Sequence, residues 1–356
     1  MIKKILLIFC SIFIGLLIVE FSLKFIGLKK ADIYLWNKRY MLFSNNGEDV
    51  FYNRKNIFTY KPNSYISSKT YYDINNKFIK EYDYSFSTNN YGLVQSKNIK
   101  QDIQSTIFLG DSFTEGQGAE PWFNSLDFNI FKNEQVINGG LMGTGFIQWK
   151  ILLDKLIEDN FKINEVYVIF ISSDFIRGVW NFSNIESSCL KNYTLCDGNE
   201  GSYGLPNNDK KTLEFLIKVK NTREKDNNFS TASYLKNFFK EIRNLSRVTR
   251  YKLRILRKKK NNKMIENEIA IKSMINLYES NVVFFHLPEK IEIYNNKKAF
   301  NGIMVENFIK KNTKEYYDLS LVCDFNLTDY HKYDGHFNSK DYQKLSRCIQ
   351  KIISDR

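Results

Sequence analysis

The chain has 356 residues, 43% hydrophobic and 15% aromatic, with 22 Tyr and 29 Phe. That apolar content supplies a sizeable core and excludes global disorder. The net charge is +13, but Asp209 to Lys263 alone holds 18 Lys/Arg against 5 Asp/Glu. The basic excess therefore belongs to one stretch, the remainder is near neutral, and nucleic-acid binding by the whole chain is not expected.

Residues 1–30 read as an N-terminal membrane anchor. Residues 5–23 are almost wholly apolar, with lysines on both sides and no small-residue cleavage site after them. A run of that length crosses a bilayer core as a helix. Lysines on both flanks leave the orientation open on charge grounds. Apart from Cys10, the cysteines are Cys189, Cys196, Cys323 and Cys348. Cys189 and Cys196 enclose a short polar loop, as a local disulfide would, and Cys323–Cys348 is the remaining pair. An even set without zinc spacing points to an oxidising compartment, with the body on the periplasmic side of the membrane. Neither metal nor cofactor is expected.

Residues 31–104 form a Tyr-laden, β-rich lead-in with Asn, Gly and Ser turns. The pattern then changes, and 105–356 reads as one α/β domain. Thr106 to Leu109 is a buried strand ending in Gly110, and Val136-Ile137 is a second, ending in Asn138-Gly139-Gly140. Gly145 to Phe161 is helical, with Ile147, Leu152, Leu156 and Ile157 as its apolar face. Val166 to Ile171 and Asn281 to His286 are further uninterrupted apolar runs, suited to central parallel strands. Strands alternating with helices predict a parallel sheet covered on both faces, with ligands at the carboxyl ends of its strands. An insertion spans about 180–275. Its later part, 231–260, reads as a basic helix with Arg243, Arg247, Arg250, Arg254 and Arg257 on one face. That stripe is either a solvated face or a contact for anionic lipid or an acidic polymer.

The chemistry concentrates in Phe108-Leu109-Gly110-Asp111-Ser112-Phe113-Thr114-Glu115-Gly116. A strand running into Gly-Asp-Ser exposes a serine at a sharp turn, and the next helix offers backbone N–H donors to an oxyanion. The alternative is an ordinary helix cap, since Asp and Ser both cap well. The segment resembles the first signature block of the SGNH (GDSL-like) hydrolases. Asn138 with Gly143 five residues on resembles the second block. Asp334-Gly335-His336, followed by Asn338 and an amphipathic stretch from Ser339 to Ile353, resembles the last. The blocks occur in family order over about residues 105–356.

The resemblance implies a three-layer α/β/α fold, with Ser112 as nucleophile, His336 as base and Asp334 as its partner. It implies an oxyanion hole from Ser112 and Gly143. Asp111 and Asn138 are weaker candidates for substrate contact, and Asp174, at a strand end, is either a substrate contact or a loop cap. Two departures stand out. The family's third block carries an oxyanion Asn, and here Ser173 stands in its place. The spacing Asp-x-His is also shorter than the commoner Asp-x-x-His. Ser173 is accordingly expected as a third, shorter-reaching donor. His331, in a second Asp-x-His, is expected outside the catalytic pair, and His286 is expected as a satisfied histidine at an edge-strand end. The implied activity is acyl ester hydrolysis or O-acyl transfer on an acylated glycan or small ester. The alternative is a binding or assembly protein that keeps the fold.

Overall fold

The computed structural model describes residues 38–131, 134–227 and 262–356. The expected anchor at 5–23 and the expected arginine stripe from Arg243 to Arg257 lie outside these residues. Among the described residues no helix is long and apolar enough to cross a membrane.

The chain opens with β1 (Arg39–Ser44), β2 (Phe51–Arg54), β3 (Ile57–Tyr60), β4 (Tyr65–Ile74) and β5 (Lys77–Ser87). Asn46, Asn56, Asn75 and Asn76 take positive φ at the intervening turns, a conformation Asn tolerates better than most residues. The core then runs β6 (Gln104–Gly110), α1 (Ser112–Glu115), β7 (Gln135–Gly140), α2 (Phe146–Glu158) and β8 (Lys162–Phe170). The insertion contributes α3 (Asn184–Lys191), β9 (Ser202–Gly204) and α4 (Asp209–Asn227). After it come α5 (Asn262–Tyr278), β10 (Val282–His286), α6 (Lys290–Asn295), α7 (Phe300–Asn312), β11 (Tyr316–Asp318), α8 (Leu319–Val322) and α9 (Ser339–Ser354).

Five parallel strands form the central sheet in the order β11-β10-β8-β6-β7. Alternate side chains feed opposite faces. Ile107, Leu109, Val166, Val168, Val282 and Phe284 meet α2, α5 and α7 on one side. Phe108, Tyr167, Ile169, Val283 and Phe285 meet Trp122, Phe131 and α9 on the other. Both faces are dry, which is why these strands read as continuous apolar runs rather than alternating ones. In α2 the inward face is Phe146, Trp149, Leu152, Leu153 and Leu156. Ile157, expected on that face, is exposed, because the helix is phased by its two buried aromatics.

A second sheet has the order β5-β4-β1-β9. Its fourth strand comes from the insertion and pairs in parallel with β1. Cys189 and Cys196 are joined in a disulfide, and they pack with Tyr40, Leu42, Tyr203 and Phe215 beneath this sheet. The expected Cys323–Cys348 disulfide is also formed, tying the segment after α8 to α9.

Candidate active site

The site forms where β6 and β7 end. Asp111 caps α1 by accepting from the Phe113 N–H at 2.9 Å, so the capping role falls to Asp111 and leaves Ser112 at the first helical position. The turn is tight: a Cβ on Gly110 would lie 1.8 Å from Thr114 Oγ1. Asp334 and His336 sit in a loop closed by a bridge between Tyr330 and Phe337, where the His331 N–H donates to the His336 carbonyl at 2.9 Å. Lys290 gathers the same loop from α6, donating to the carbonyls of His331, Lys332 and Asp334 at 2.6, 2.8 and 3.2 Å.

These two segments bring together three residues 222 or more positions apart at their extremes, Ser112 against Asp334 and His336. Ser112 Oγ is 2.8 Å from His336 Nε2, and His336 Nδ1 is 2.6 Å from Asp334 Oδ1. A ring nitrogen facing a carboxylate carries the proton, so the other nitrogen is free to accept from the serine hydroxyl. Phe113 packs against the imidazole with centroids 4.8 Å apart. Burial alone would raise the Asp334 carboxyl. The charge and hydrogen bond of His336, Arg39 and the Tyr72 hydroxyl overcome that and hold it well below its ordinary range.

The N–H groups of Ser112 and Gly143 make no hydrogen bond among the described residues. Gly143 has φ +71°, and its carbonyl accepts from Trp180 Nε1 at 3.1 Å. A β-branched or bulky residue would be strained in that conformation. The loop is set from below by Glu115, whose Oε2 accepts from the Met142 N–H at 2.8 Å while Oε1 accepts from Tyr60 at 2.7 Å. Burial pushes Glu115 up to about 8.

The remaining candidates are placed differently from expectation. Ser173 is half-buried, and its hydroxyl accepts from Arg177 Nη2 at 3.4 Å beside the buried Glu289 carboxyl. The expected third oxyanion donor therefore stands within the Arg177–Glu289 cluster. Burial, aided by the charge of Glu292, pushes Glu289 up to about 7. Asp111, Asn138 and Asp174 are sealed from solvent, so the expected substrate contacts are corrected to supports. Asp111 and Asp174 both pair with Arg177, at 2.9 and 2.5 Å. Asn138 binds the Val94 carbonyl and the Gly140 N–H, fastening β7 to the segment before β6.

His331 stands apart from the Asp334–His336 pair, with its Nε2 3.1 Å from the Gly118 carbonyl. His286 is satisfied as expected, although β11 makes its strand internal rather than an edge. Ser172 gives its one proton to Glu292 at 2.6 Å, so His286 Nε2 donates to Ser172 at 3.0 Å and Tyr316 donates to Nδ1 at 2.9 Å. Burial and the nearby Lys298 lower this imidazole to about 3. Among the described residues, one group has metal-ligand proximity, Cys189, Cys196 and Glu200, and its two sulfurs are spent on the disulfide.

Sequence reasoning missed Arg39, Tyr72, Tyr82, Glu115, Arg177, Glu289 and Lys290. Glu115 alone carried a signal, being an acid inside a Gly-bounded buried motif. No protein family matches the chain, and no curated protein matches it. Among solved structures, a lipase/acylhydrolase from Enterococcus faecalis superimposes over 71% of this chain and 97% of its own, at 13% identity and a TM-score of 0.38.

Proposed function

We propose that the chain is a serine-dependent acyl ester hydrolase or O-acyltransferase, with an acylated glycan of the cell envelope as its substrate class. The observation that carries this is the run of short contacts from Ser112 Oγ through His336 to Asp334, beside two unengaged N–H groups. A serine hydroxyl is a weak nucleophile at neutral pH and needs such a base. Ser112 Oγ attacks the acyl carbonyl as its proton passes to His336 Nε2, and the N–H groups of Ser112 and Gly143 hold the oxyanion. Collapse expels the alcohol, which takes the proton from His336. Water or a sugar hydroxyl then gives its proton to His336 and attacks the acyl-enzyme, and as the Ser112 ester bond breaks Ser112 Oγ takes that proton back, releasing the acid or the acylated sugar. Asp334 keeps the ring oriented and stabilises its charged form.

The envelope location rests on the apolar run at 5–23 and on the two disulfides, which persist in oxidising compartments. The periplasmic placement, the anchor and the contact of Arg243 to Arg257 with anionic lipid or polymer are part of the same reading. A binding-protein reading has one observation in its favour. The family's oxyanion Asn is absent, and the hydroxyl in its place is drawn into the Arg177 cluster.

Hydrolysis of small acetyl esters by the full chain, with fluorophosphonate labelling, separates the two. Turnover and labelling that vanish in Ser112→Ala, with labelling strongly reduced in His336→Ala, are expected. Absence of both in the wild type across several acyl esters would favour the binding protein. Loss of labelling in His331→Ala with His336→Ala unaffected would overturn the choice of base.

A further inference from the structure

Asp334 is enclosed completely, and only half of its carboxylate is explained by His336. Oδ1 accepts from the His336 ring at 2.6 Å and from the His336 backbone N–H at 3.2 Å. Oδ2 accepts from two tyrosine hydroxyls of the N-terminal sheet, Tyr72 on β4 at 2.8 Å and Tyr82 on β5 at 3.0 Å. Arg39 Nη1, on β1, stands 3.8 Å from the same oxygen. None of these three belongs to the five-stranded sheet that carries Ser112.

The strands are shaped for this contact. Thr70 pairs with Tyr82 and Tyr71 with Lys80, so Glu81 is an extra residue between the two tyrosines. A bulge re-aims the side chains around it. Glu81 itself accepts from the Tyr333 N–H at 2.8 Å, in the same loop as Asp334 and His336. Tyr82 also receives Gln117 Nε2 at 2.8 Å, which reaches the loop that follows α1. One tyrosine therefore touches both halves of the site.

We propose that Tyr72 and Tyr82 are positioning residues that, with Arg39 as the charge partner of Asp334, lock the Asp334 carboxylate and thereby set the basicity of His336. The inference rests on reading Ser112, His336 and Asp334 as nucleophile, base and orienting acid. A carboxylate with both oxygens filled cannot turn about its Cβ–Cγ bond, and a fixed carboxylate fixes the imidazole plane. The two hydroxyl dipoles and the Arg39 charge also draw negative charge away from the ring. Removing them leaves the carboxylate less compensated, so His336 holds its proton more tightly. Burial and the Asp334 charge raise both tyrosines above their ordinary range, so they remain donors at every working pH. Among the described residues, the other charged or titratable groups at this loop include Lys290 on α6, Glu81 on β5, and His331, Lys332 and Tyr333 within the loop, Tyr333 packing on Tyr72.

The test uses the full chain with Tyr72→Phe, Tyr82→Phe, the double variant and Arg39→Met. Phe keeps the ring and removes only the hydroxyl. One readout is the pH profile of acetyl-ester kcat/KM. Its acid limb is expected to move upward by about half a pH unit or more in the double variant. The kcat is expected to fall ~10-fold with KM nearly unchanged, as for a group acting through the base. The second readout needs no substrate: NMR titration of the His336 ring, in a chain with only three His. The midpoint should rise in the double variant and, more weakly, in each single variant and in Arg39→Met. If wild type turns over no ester but the midpoint rises, the acyl-transfer reading fails and the clamp stands. An unmoved His336 midpoint in the folded variants overturns the clamp, whatever the turnover. Should the double variant not fold, the single variants decide by the same criterion.

Discussion

Glu115 is enclosed in protein, yet it bonds the Met142 N–H one residue before Gly143. Its folded value of about 8 lies above its ordinary 4.5, with burial as the leading cause. The stability it contributes is thus fully present below pH 4.5 and is lost as pH rises to about 8. Each pH unit in that window is worth up to ~1.4 kcal/mol. Glu115→Gln imitates the protonated acid, since its amide can donate to Tyr60 and its carbonyl can accept from Met142. Urea unfolding at pH 5 and pH 8 is expected to show the wild type losing stability relative to Glu115→Gln as pH rises. Parallel behaviour of the two proteins would remove Glu115 as the titrating group. Ser173 gives a contrasting prediction. Its hydroxyl is held in the cluster of Arg177, 3.4 Å away, and the buried Glu289 carboxyl, so Ser173→Ala is expected to lower acetyl-ester turnover by less than ~10-fold, below the ~10²–10³ loss typical of an oxyanion donor. A loss in that higher range would restore Ser173 to the hole.

Among the elements, the segment between α8 and α9 holds Asp334 and His336 in a loop that follows one short 3-10 turn, Leu327–Asp329. It is bounded by the Cys323–Cys348 disulfide, by the Asn338 cap that accepts from the N–H groups of Lys340 and Asp341, and by Lys290. The disulfide closes a loop with a separation of 25 residues, which chain entropy rewards by ~3–4 kcal/mol. The Cys189–Cys196 loop, with a separation of 7, is worth ~2–3 kcal/mol on the same argument. Replacing Cys323 and Cys348 by Ala is expected to lower the thermal midpoint and to steepen the loss of labelling at Ser112 on mild warming. The Cys189/Cys196 double Ala variant, whose disulfide lies under the other sheet, should lose stability but keep labelling up to its own unfolding. Equal labelling losses in both variants, at equal distance below their midpoints, would show that Cys323–Cys348 does not steady the catalytic loop. α9 was legible because Tyr342, Leu345, Ile349 and Ile352 recur at helical spacing. β11 was not: three half-buried residues, Tyr316, Tyr317 and Asp318, carry no period.

At the scale of the whole molecule, the two sheets are joined through β9 and through the contacts of Tyr72, Tyr82 and Glu81 with the catalytic loop. Unfolding is therefore expected as one transition. Trp122 and Trp149 report on the parallel-sheet core, while Trp180 stacks near Phe58 and Phe182 on the other side. Denaturation followed by the fluorescence of single-Trp variants should give one midpoint for all probes. An earlier transition seen only by Trp180 would make the N-terminal sheet an independent unit. The sequence by itself indicated the parallel sheet, its strand runs and the local Cys189–Cys196 loop, because these are written locally in apolar runs buried on both faces and in closely spaced cysteines. The meeting of Ser112 with Asp334 and His336 was legible only through the resemblance of three separated motifs, and Cys323–Cys348 only as the remaining pair. Only the tertiary structure decided that β9 of the insertion extends the N-terminal sheet, that Arg177 takes up Asp111 and Asp174 and reaches Ser173, and that Tyr72 and Tyr82 hold Asp334. The tyrosines stand 262 and 252 residues from that carboxylate. A hydroxyl on a Tyr-rich strand has no local signature of its partner, because the partner is chosen by how two sheets pack.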